Sequence, residues 1–372
     1  MLKKFVVTNF KNYKSRTEFD LGSPSNYEFN SSIVADNGVS KAIIYGINGS
    51  GKSNLGLALF DIIFHLTDKE RIPVKYIPYL NMESEKPMAE FEYHFSFADM
   101  SVSYFYGKTD VNTLTYEKVI INGQEVLNYD YLLNAGYTSL AGAESLNLNS
   151  NDSVGGNKIS RVRFIKGSAL GLVNNEVNKA FIDFTTFVDN MLMFFSLDEK
   201  GYQGLCVGSD SYTQGIIREN KLAEFETFLR DKGIDYKLVA VNISGITDLY
   251  CKYPKGIVPF ATVASTGTKS LALFYYWYIK MQKASFVYID EFDAFYHFAL
   301  SQSLVELVKK LNKTQVVLST HNTDLMSNDL LRPDAYFIIQ NNRIKALDML
   351  VDKDIRRAHN IQKMYRAGTF DE

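Results

Sequence analysis

The chain has 372 residues, a formal net charge of −2, a sequence pI of about 6.3 and 46% hydrophobic residues, which suits two domains or one large domain with an insertion. The charge balance argues against a protein that coats nucleic acid through a general excess of basic residues. No stretch approaches the roughly 20 apolar residues that cross a bilayer, and the start MLKKFVVTNFKNYK lacks the apolar core of a signal peptide. Cys206 and Cys251 have no metal-ligand spacing. We therefore expect a reduced, cytoplasmic protein.

The first 35 residues predict strands. Residues 4–9 read as an edge strand that pairs with residues 17–21, and residues 31–35 read as a further strand before the turn Asp36-Asn37-Gly38. Asn9-Phe10-Lys11 lies in the turn between the first two strands. This basic end is either a solvated hairpin or a place where Lys11 faces a nucleotide.

Residues 42–53, AIIYGINGSGKS, predict a phosphate-binding loop. Residues 42–45 form a short buried strand, and Gly46 to Ser53 then spells G-x-x-x-x-G-K-S. Glycines let the backbone N–H groups surround a phosphate chain, Lys52 can reach the β- and γ-phosphates, and the Ser53 hydroxyl can hold Mg²⁺. The following NLGLALFDIIFHL predicts a buried helix whose N-terminus adds to the anion site. The strand, the loop and the helix come in the order that a phosphate-binding motif needs. An ordinary glycine-rich turn would not require this order, so the motif is the favoured interpretation.

The middle of the chain begins with strands and then becomes mixed. Residues 89–97, 101–106 and 113–121 alternate as an antiparallel meander, with a hairpin turn at Asn122-Gly123. Residues 143–157 predict a mobile loop rich in Asn, Ser and Gly. Residues 181–195 and 221–232 look helical, and neither keeps apolar heptads for long enough to form a coiled-coil arm.

Arg161 and Arg163, in KISRVRFIK, alternate as if on one face of a strand. Such a pair is more often a solvated face than a contact to a DNA backbone, and both interpretations stay open.

From residue 236 onward, apolar strands alternate with helices, which predicts a parallel α/β sheet. The predicted strands are 237–243, 247–253, 257–263, 285–290 and 314–319, with a hairpin of 335–340 and 343–347 across Asn341-Asn342; the predicted helices are 267–282, 294–311, one after His321-Asn322 and a charged one at the end.

Four short segments of this part bear on the phosphate loop. The buried strand FVYIDE would bring Asp290 beside Ser53 to hold Mg²⁺ and would place Glu291 to deprotonate a water molecule. His321, after VVLST, can donate a hydrogen bond to a γ-phosphate. Ser265 and Gly267 open a helix, either as an anion site or as an ordinary N-cap. Residues 293–297, DAFYH, either stack on a partner's copy or pack within the chain.

The order of these motifs resembles an ABC-type ATPase head of the SMC, RecF and OLD branch. Asn9-Phe10-Lys11 resembles the first hairpin of that branch, and Ser265-Thr266-Gly267-Thr268-Lys269 resembles its degenerate signature. Residues 356–370, RRAHNIQKMYRAGTF, resemble the tail of AAA_15- and AAA_21-like ATP-binding proteins of bacterial phage-defence modules, such as the PARIS and Septu systems. The resemblance covers roughly residues 1–125 and 236–372.

This resemblance implies an α/β P-loop NTPase: an ABC-type head with an antiparallel β subdomain, an inserted mixed α/β segment and no long coiled coil. The expected parts are an N-terminal lobe (1–125), the insertion (126–235) and a C-terminal lobe (236–372). The ligands implied are ATP and Mg²⁺.

The resemblance also assigns roles to residues. Ser53 and Asp290 hold Mg²⁺, Glu291 is the general base, and Lys52 and His321 act on the γ-phosphate. Ser265, Gly267 and Lys269 contact ATP bound to another subunit. The nucleotide-binding set is Lys11, Gly46, Asn48, Gly49, Ser50, Gly51, Lys52, Ser53 and Asn54. The family's glutamine loop is missing, since the first glutamine after Lys52 is Gln124, and residues 81–87 are the candidate replacement.

The function implied is that of an ATPase that acts as sensor and regulatory scaffold of an anti-phage defence system. It would form a homodimer or larger homo-oligomer, control a separate nuclease or toxin effector, respond to DNA or a phage protein, and involve no membrane. The alternative is a RecF- or SMC-like ATPase in DNA repair or recombination; a transporter subunit is a third reading. The chain has no further acidic cluster like that of OLD nucleases, so we expect it not to be a nuclease itself.

Overall fold

The structure is a computed structural model that describes residues 1–69, 72–149, 153–154, 157–196, 201–205 and 211–371. In chain order its strands are β1 Leu2–Thr8, β2 Thr17–Asp20, β3 Val34–Ala35, β4 Gly38–Val39, β5 Lys41–Tyr45, β6 Ala89–Phe97, β7 Met100–Lys108, β8 Leu114–Ile121, β9 Gln124–Asp130, β10 Ala135–Thr138, β11 Ser153–Val154, β12 Asn157–Lys158, β13 Met191–Phe195, β14 Tyr202–Gly204, β15 Leu238–Ile243, β16 Ile246–Tyr253, β17 Gly256–Pro259, β18 Phe286–Asp290, β19 Gln315–Ser319, β20 Tyr336–Gln340 and β21 Arg343–Ala346. The α-helices are α1 Lys52–Phe60, α2 Ile63–Leu66, α3 Arg161–Gly167, α4 Glu176–Asp189, α5 Tyr212–Arg218, α6 Leu222–Asp231, α7 Phe260–Val263, α8 Thr266–Met281, α9 Phe298–Lys309 and α10 Ile361–Arg366.

One seven-stranded sheet has the strand order β14-β13-β18-β19-β5-β20-β21. Its five inner strands are parallel, and β14 and β21 pair antiparallel at the edges. Strands β5 and β19 are buried along their whole length, as expected when helices cover both faces of a parallel sheet. The predicted parallel sheet is confirmed for β18, β19 and β20, and with it the α/β P-loop fold class, but the predicted strands between residues 237 and 263 form a separate antiparallel sheet, β15-β16-β17.

The prediction of a helix over residues 181–195 is wrong in its last third. Helix α4 ends at Asp189, and Met191–Phe195 is the parallel strand β13, paired with β18. The run MLMFF is short and apolar throughout, so periodicity does not separate a buried strand from the end of a buried helix. The segment predicted as an insertion thus supplies a strand of the central sheet.

A second seven-stranded sheet is antiparallel, in the order β10-β9-β8-β7-β6-β1-β2. The predicted meander and the Asn122-Gly123 hairpin are confirmed, with both turn residues at positive φ. The meander continues through β9 and β10 past residue 125. Strand β1 is not an edge strand as predicted, because it lies between β6 and β2.

Helix α1 lies between the two sheets. From the antiparallel sheet, Tyr93 Oη donates to the Ala58 carbonyl at 3.0 Å, and from the parallel sheet Tyr288 Oη donates to the Lys52 carbonyl at 2.6 Å. Seven of its nine residues are buried, which explains why this helix is apolar on every side. It ends at Phe60 and α2 begins at Ile63, so the predicted single helix is divided in two; Asp61, between them, forms a fully buried ion pair with Lys108 at 2.8 Å.

Gly56 sets the close approach of α1 to the parallel sheet. A Cβ there would lie 2.6 Å from Met193 Cε and 2.7 Å from Tyr288 Cε1. We expect Gly56→Ala to lower the free energy of unfolding by about 1–3 kcal/mol, as overpacking does. Gly167→Ala is the matched control, since a Cβ at Gly167 has no neighbour within 4 Å, and it should change stability by less than about 1 kcal/mol. Urea denaturation of both variants measures the difference; equal effects would contradict the tight contact.

Arg161 and Arg163 do not share a strand face, because Arg161–Gly167 is helix α3. The Arg161 side chain is fully buried, with its guanidinium 4.7 Å from the Tyr129 ring centroid, and Arg163 pairs with Asp68. Ser160 caps the helix by accepting from Arg163 N, a signal that the strand interpretation overlooked. A DNA contact through Arg161 is therefore excluded.

Other boundaries differ in detail. Residues 31–35 contain a 3₁₀ turn and only the two-residue strand β3, and β17 ends at Pro259 before α7. Helix α9 begins at Phe298, and a 3₁₀ turn, Thr323–Leu325, replaces the helix predicted after Asn322. Residues 150–152 and 155–156 of the predicted mobile loop, and Cys206, lie outside the described residues; Cys251 is a buried free thiol. Within the described ranges, no helix combines the length and apolarity that a bilayer span requires.

Candidate nucleotide site

The carboxyl ends of three neighbouring strands build the site. Strands β18, β19 and β5 are adjacent and parallel, and a motif that the sequence singled out lies at the carboxyl end of each. These are Asp290 with Glu291, His321, and the loop Gly46 to Ser53 respectively. Ligands of open α/β sheets bind at this edge, so the topology brings together residues that are 245 positions apart in sequence (291 − 46).

The phosphate loop has the backbone that its glycines predict. Gly49 and Gly51 have φ values of 80° and 107°, a region that other residues rarely adopt. A Cβ at Gly46 would lie 2.3 Å from Ser50 Oγ. Tyr13 Oη donates to the Gly51 carbonyl at 2.8 Å, so the N-terminal hairpin supports the loop from outside.

Lys52 points back into the loop. Its Nζ donates to the Gly46 and Ile47 carbonyls at 2.9 and 3.4 Å and lies 3.6 Å from Glu291 Oε1. The side chain is 4% exposed, so this positive charge is held inside the loop and beside a carboxylate. The ammonium is thus already where a phosphate chain wrapped by the loop would meet it.

Glu291 sits in a turn that redirects the chain after β18. Its φ of 49° is uncommon for a residue with a Cβ and costs roughly 1 kcal/mol. Ser319 holds the turn, because its Oγ accepts from Glu291 N at 2.9 Å and donates to Asp290 Oδ1 at 2.7 Å. This conformation directs the two adjacent carboxylates to different partners. Asp290 accepts a hydrogen bond from Ser319 on β19, whereas Glu291 lies 3.6 Å from Lys52 Nζ.

His321 completes a row of side chains with Glu291 and Lys52. Its Nδ1 lies 3.0 Å from Glu291 Oε2, and its side chain is 58% exposed. These three residues, with Ser53 and Asn54, line a cleft of about 420 Å³ against the loop. The charged chemistry at this end of the loop is therefore supplied by three different strand ends.

A larger cleft, of about 810 Å³, lies along the other side of the loop. Its lining includes Gly46 to Ser50, Lys11 and Asn81. Burial lowers the pKa of Lys11, and its Nζ lies 3.4 Å from the Pro78 carbonyl, while Asn81 Nδ2 donates to the Lys11 carbonyl at 2.6 Å. The hairpin and the segment suggested to replace the glutamine loop are thus joined, beside this cleft and not at the Glu291 end.

Sequence reasoning missed the residues that tie the loop to its neighbours. Asn12 Oδ1 accepts from Asn54 Nδ2 at 2.7 Å, and Asn342 Nδ2 donates to the Asn12 carbonyl at 2.9 Å. Asn12 therefore joins the start of α1 to the β20–β21 turn. The position of Asn12 next to Lys11 was the only sequence feature that pointed to it. Its partner Asn342, 330 residues away, cannot be predicted from a local pattern.

The signature-like segment lies at the start of α8. Ser265 is the N-cap, with its Oγ accepting from Thr268 N at 3.2 Å, so the ordinary capping role is confirmed. A Cβ at Gly267 would meet only Ser265 Oγ, at 3.9 Å. The two clefts beside the phosphate loop, among the described residues, are not lined by Ser265, Gly267 or Lys269. Their role towards a second subunit stays a prediction.

The residues present fit ATP and Mg²⁺. Ser50 Oγ is buried in the loop and has no hydrogen-bond partner among the described residues, and a phosphate oxygen is an acceptor that would satisfy it. The Ser53 hydroxyl and the Asp290 carboxylate are the hard oxygen ligands that Mg²⁺ prefers. Backbone N–H groups at the start of α1 add a favourable dipole for an anion.

One family profile matches part of the chain. A family profile described as "AAA domain, putative AbiEii toxin, Type IV TA system" matches residues 255–327, which contain Ser265, Asp290, Glu291 and His321. The comparison with curated proteins gave no match.

Solved structures of SMC heads resemble the chain at low identity. An Smc head bound to the C-winged helix domain of ScpA is 14% identical, with 93% of this chain and 97% of that chain covered and a TM-score of 0.43. The Thermotoga maritima SMC head domain is 15% identical (95% and 99% covered, TM-score 0.42). The Smc head with an extended coiled coil bound to the C-terminal domain of ScpA, from Pyrococcus furiosus, is 14% identical (98% and 99% covered, TM-score 0.43). The fold of this chain is assigned from its own sheet order and phosphate loop.

Proposed function

We propose that this protein is an ATPase that binds Mg²⁺–ATP at the phosphate loop and hydrolyses it to ADP and phosphate. The observation that carries the proposal is the row Lys52, Glu291 and His321, with separations of 3.6 and 3.0 Å, in the cleft against the loop. An ion pair whose sole role was to stabilise the fold would not require a glycine-rich, anion-binding loop around it. Phosphoryl transfer relies on this combination of charge stabilisation and a positioned base.

Each side chain has a separate task in this proposal. Lys52 stabilises negative charge on the phosphates, and Glu291 accepts a proton from the attacking water. His321, being mostly exposed, can turn towards the γ-phosphate and donate to it. Ser53 and Asp290 would hold Mg²⁺, which neutralises charge on the phosphates when bound. Ser319 positions both acids through its two hydrogen bonds.

The direct test is phosphate release from ATP by the purified protein with Mg²⁺, measured beside ATP binding by calorimetry. We expect binding and slow hydrolysis, with hydrolysis removed by EDTA. A folded protein that binds no ATP at millimolar concentration would refute the proposal.

We further propose that two heads close on ATP, with Ser265, Gly267 and Lys269 of one subunit against the nucleotide of the other. The start of α8 supports this, because Ser265 is exposed and the space beside Gly267 is open. Gly267→Arg should therefore leave the monomer folded and block closure. Sedimentation with ATP separates the outcomes: a variant that associates like the wild type would exclude this surface.

At the level of biology, we propose a regulatory ATPase of an anti-phage system that controls a separate effector. The resemblance of residues 356–370 and the toxin–antitoxin description of the matching family support this. Co-purification of a neighbouring gene's product, released or retained according to nucleotide state, is the expected result. If instead the protein retards duplex DNA at about 50 mM salt, with strong salt dependence, the SMC- or RecF-like alternative is favoured.

A further inference from the structure

Two clefts adjoin at the phosphate loop. Both are lined by Asn48 and Gly49, whereas Lys52, Ser53 and Glu291 line the smaller one. If the terminal phosphate of a bound nucleotide lies at Lys52, the larger cleft, of about 810 Å³, is the adjoining space for the nucleoside. That volume is in the range of ordinary small-molecule sites. The residues of the larger cleft are therefore the candidates for base selection.

The larger cleft carries apolar side chains that are unusually open to solvent. Ile47, within the loop, is 77% exposed, and Met82 is 81% exposed. Tyr365, on α10, is half-buried and lines the same cleft. Exposed apolar groups gathered in one cleft mark a binding surface, and here they adjoin a polar phosphate site. A ligand with an anionic end and a flat apolar end matches this arrangement.

A carboxylate lines the same cleft as the Tyr365 ring. Asp371 also lines the cleft, and its N donates to the Gly368 carbonyl at 3.2 Å in a turn that places Gly368 at φ 75°. Tyr365 and Asp371 line the same cleft, and burial together with the Asp371 carboxylate raises the pKa of the Tyr365 hydroxyl. A carboxylate accepts hydrogen bonds from amino groups and repels keto oxygens.

We propose that the Tyr365 ring is the platform on which the adenine of ATP stacks, and that Asp371 accepts a hydrogen bond from its exocyclic amino group. The inference rests on the proposed function, since it takes the phosphates of ATP to lie in the loop. It assigns residues 361–371 to base selection, a role separate from hydrolysis. Hypoxanthine, which presents a keto oxygen in place of the amino group, is then disfavoured.

Calorimetry with two ligands tests the platform. ATP carries the base, and inorganic tripolyphosphate carries only the anionic end. Tyr365→Leu keeps apolar bulk and removes the ring, so ATP affinity should fall roughly 5- to 150-fold, the usual worth of stacking a base on an aromatic side chain. Tyr365→Phe keeps the ring and should bind ATP like the wild type. Tripolyphosphate affinity should be the same in all three proteins.

A second pair of ligands tests the carboxylate. We expect the wild type to prefer ATP over inosine triphosphate, and Asp371→Ala to reduce that preference by roughly 2- to 10-fold, the worth of one hydrogen bond. Asp371 is exposed, so its removal should not disturb folding. An unchanged preference would remove Asp371 from base selection.

The outcomes separate this inference from the proposed function. If Tyr365→Leu binds ATP like the wild type, or loses ATP and tripolyphosphate equally, the platform is refuted while the ATP site stands. If the wild type binds neither ligand, the proposed function fails, and this inference with it. Should Tyr365→Leu not fold, Met82→Ala replaces it, because Met82 is largely exposed: its ATP affinity alone should fall, and unchanged affinity would refute the apolar cleft.

Discussion

Glu291→Gln should bind ATP like the wild type and hydrolyse it roughly 10²–10⁴-fold more slowly, which is what loss of a general base costs. The amide keeps the size of the side chain but cannot take a proton from water. Its neighbours, Lys52 and His321, would remain in place, so the binding site is preserved. Phosphate release under single-turnover conditions measures the chemical step directly.

The matched control is Glu306→Gln, which removes an exposed carboxylate paired with Lys309 on α9. It should leave the rate unchanged. Equal rates for Glu291→Gln and the wild type would show that another group activates the water, and the assignment of Glu291 would have to be withdrawn.

The same variant reports on closure of two heads. If unhydrolysed ATP bridges Gly267 to a partner's loop, Glu291→Gln should accumulate as a closed dimer. Cysteines in place of Ile47 and Thr266, both exposed, should then crosslink between subunits with ATP and not without it. Adding Gly267→Arg should abolish the crosslink. Equal crosslinking with and without ATP would rule out a closure of the two heads that is driven by nucleotide.

Lys52→Ala should weaken ATP binding by roughly 100-fold or more, since each charged hydrogen bond of this kind contributes about 1.5–3 kcal/mol. The ammonium is buried and aimed at the loop, so water cannot replace it there. Its loss also removes the ammonium beside Glu291, which adds repulsion between that carboxylate and the phosphates. Calorimetry gives the affinity, and circular dichroism checks the fold.

Lys41→Ala is the matched control for this variant. Lys41 is also 4% exposed and lies at the opposite end of β5, where its Nζ donates to the Thr314 carbonyl at 2.8 Å. Burial lowers its pKa to about 8. It should lose stability but keep its affinity for ATP. If both variants lost ATP affinity alike, the effect would belong to β5 and not to the loop.

Contiguous motifs were predictable because their geometry is local. The loop Gly46 to Ser53 needs glycine at positions of positive φ, so spacing alone predicts its backbone. The meander and its Asn122-Gly123 turn follow from alternation and turn chemistry. Asp290 and Glu291 follow an apolar strand, and parallel strands deliver such residues to one edge.

Other features depended on distant partners. Met191–Phe195 is a strand because β18 offers a parallel partner, which no property of its five apolar residues reveals. Arg161 is buried because Tyr129 and the meander surround it, although charged residues are usually exposed.

By itself the sequence determined the phosphate loop, the acidic strand end and the α/β alternation, since each depends on neighbours within a few residues. Only the tertiary structure showed that Glu291 lies beside Lys52 while Asp290 accepts a hydrogen bond from Ser319. It also showed that Tyr365 lines the larger cleft. Those outcomes depend on contacts between segments 28 to more than 200 residues apart, and the chain pays the loop-closure entropy for them only once the whole core is buried.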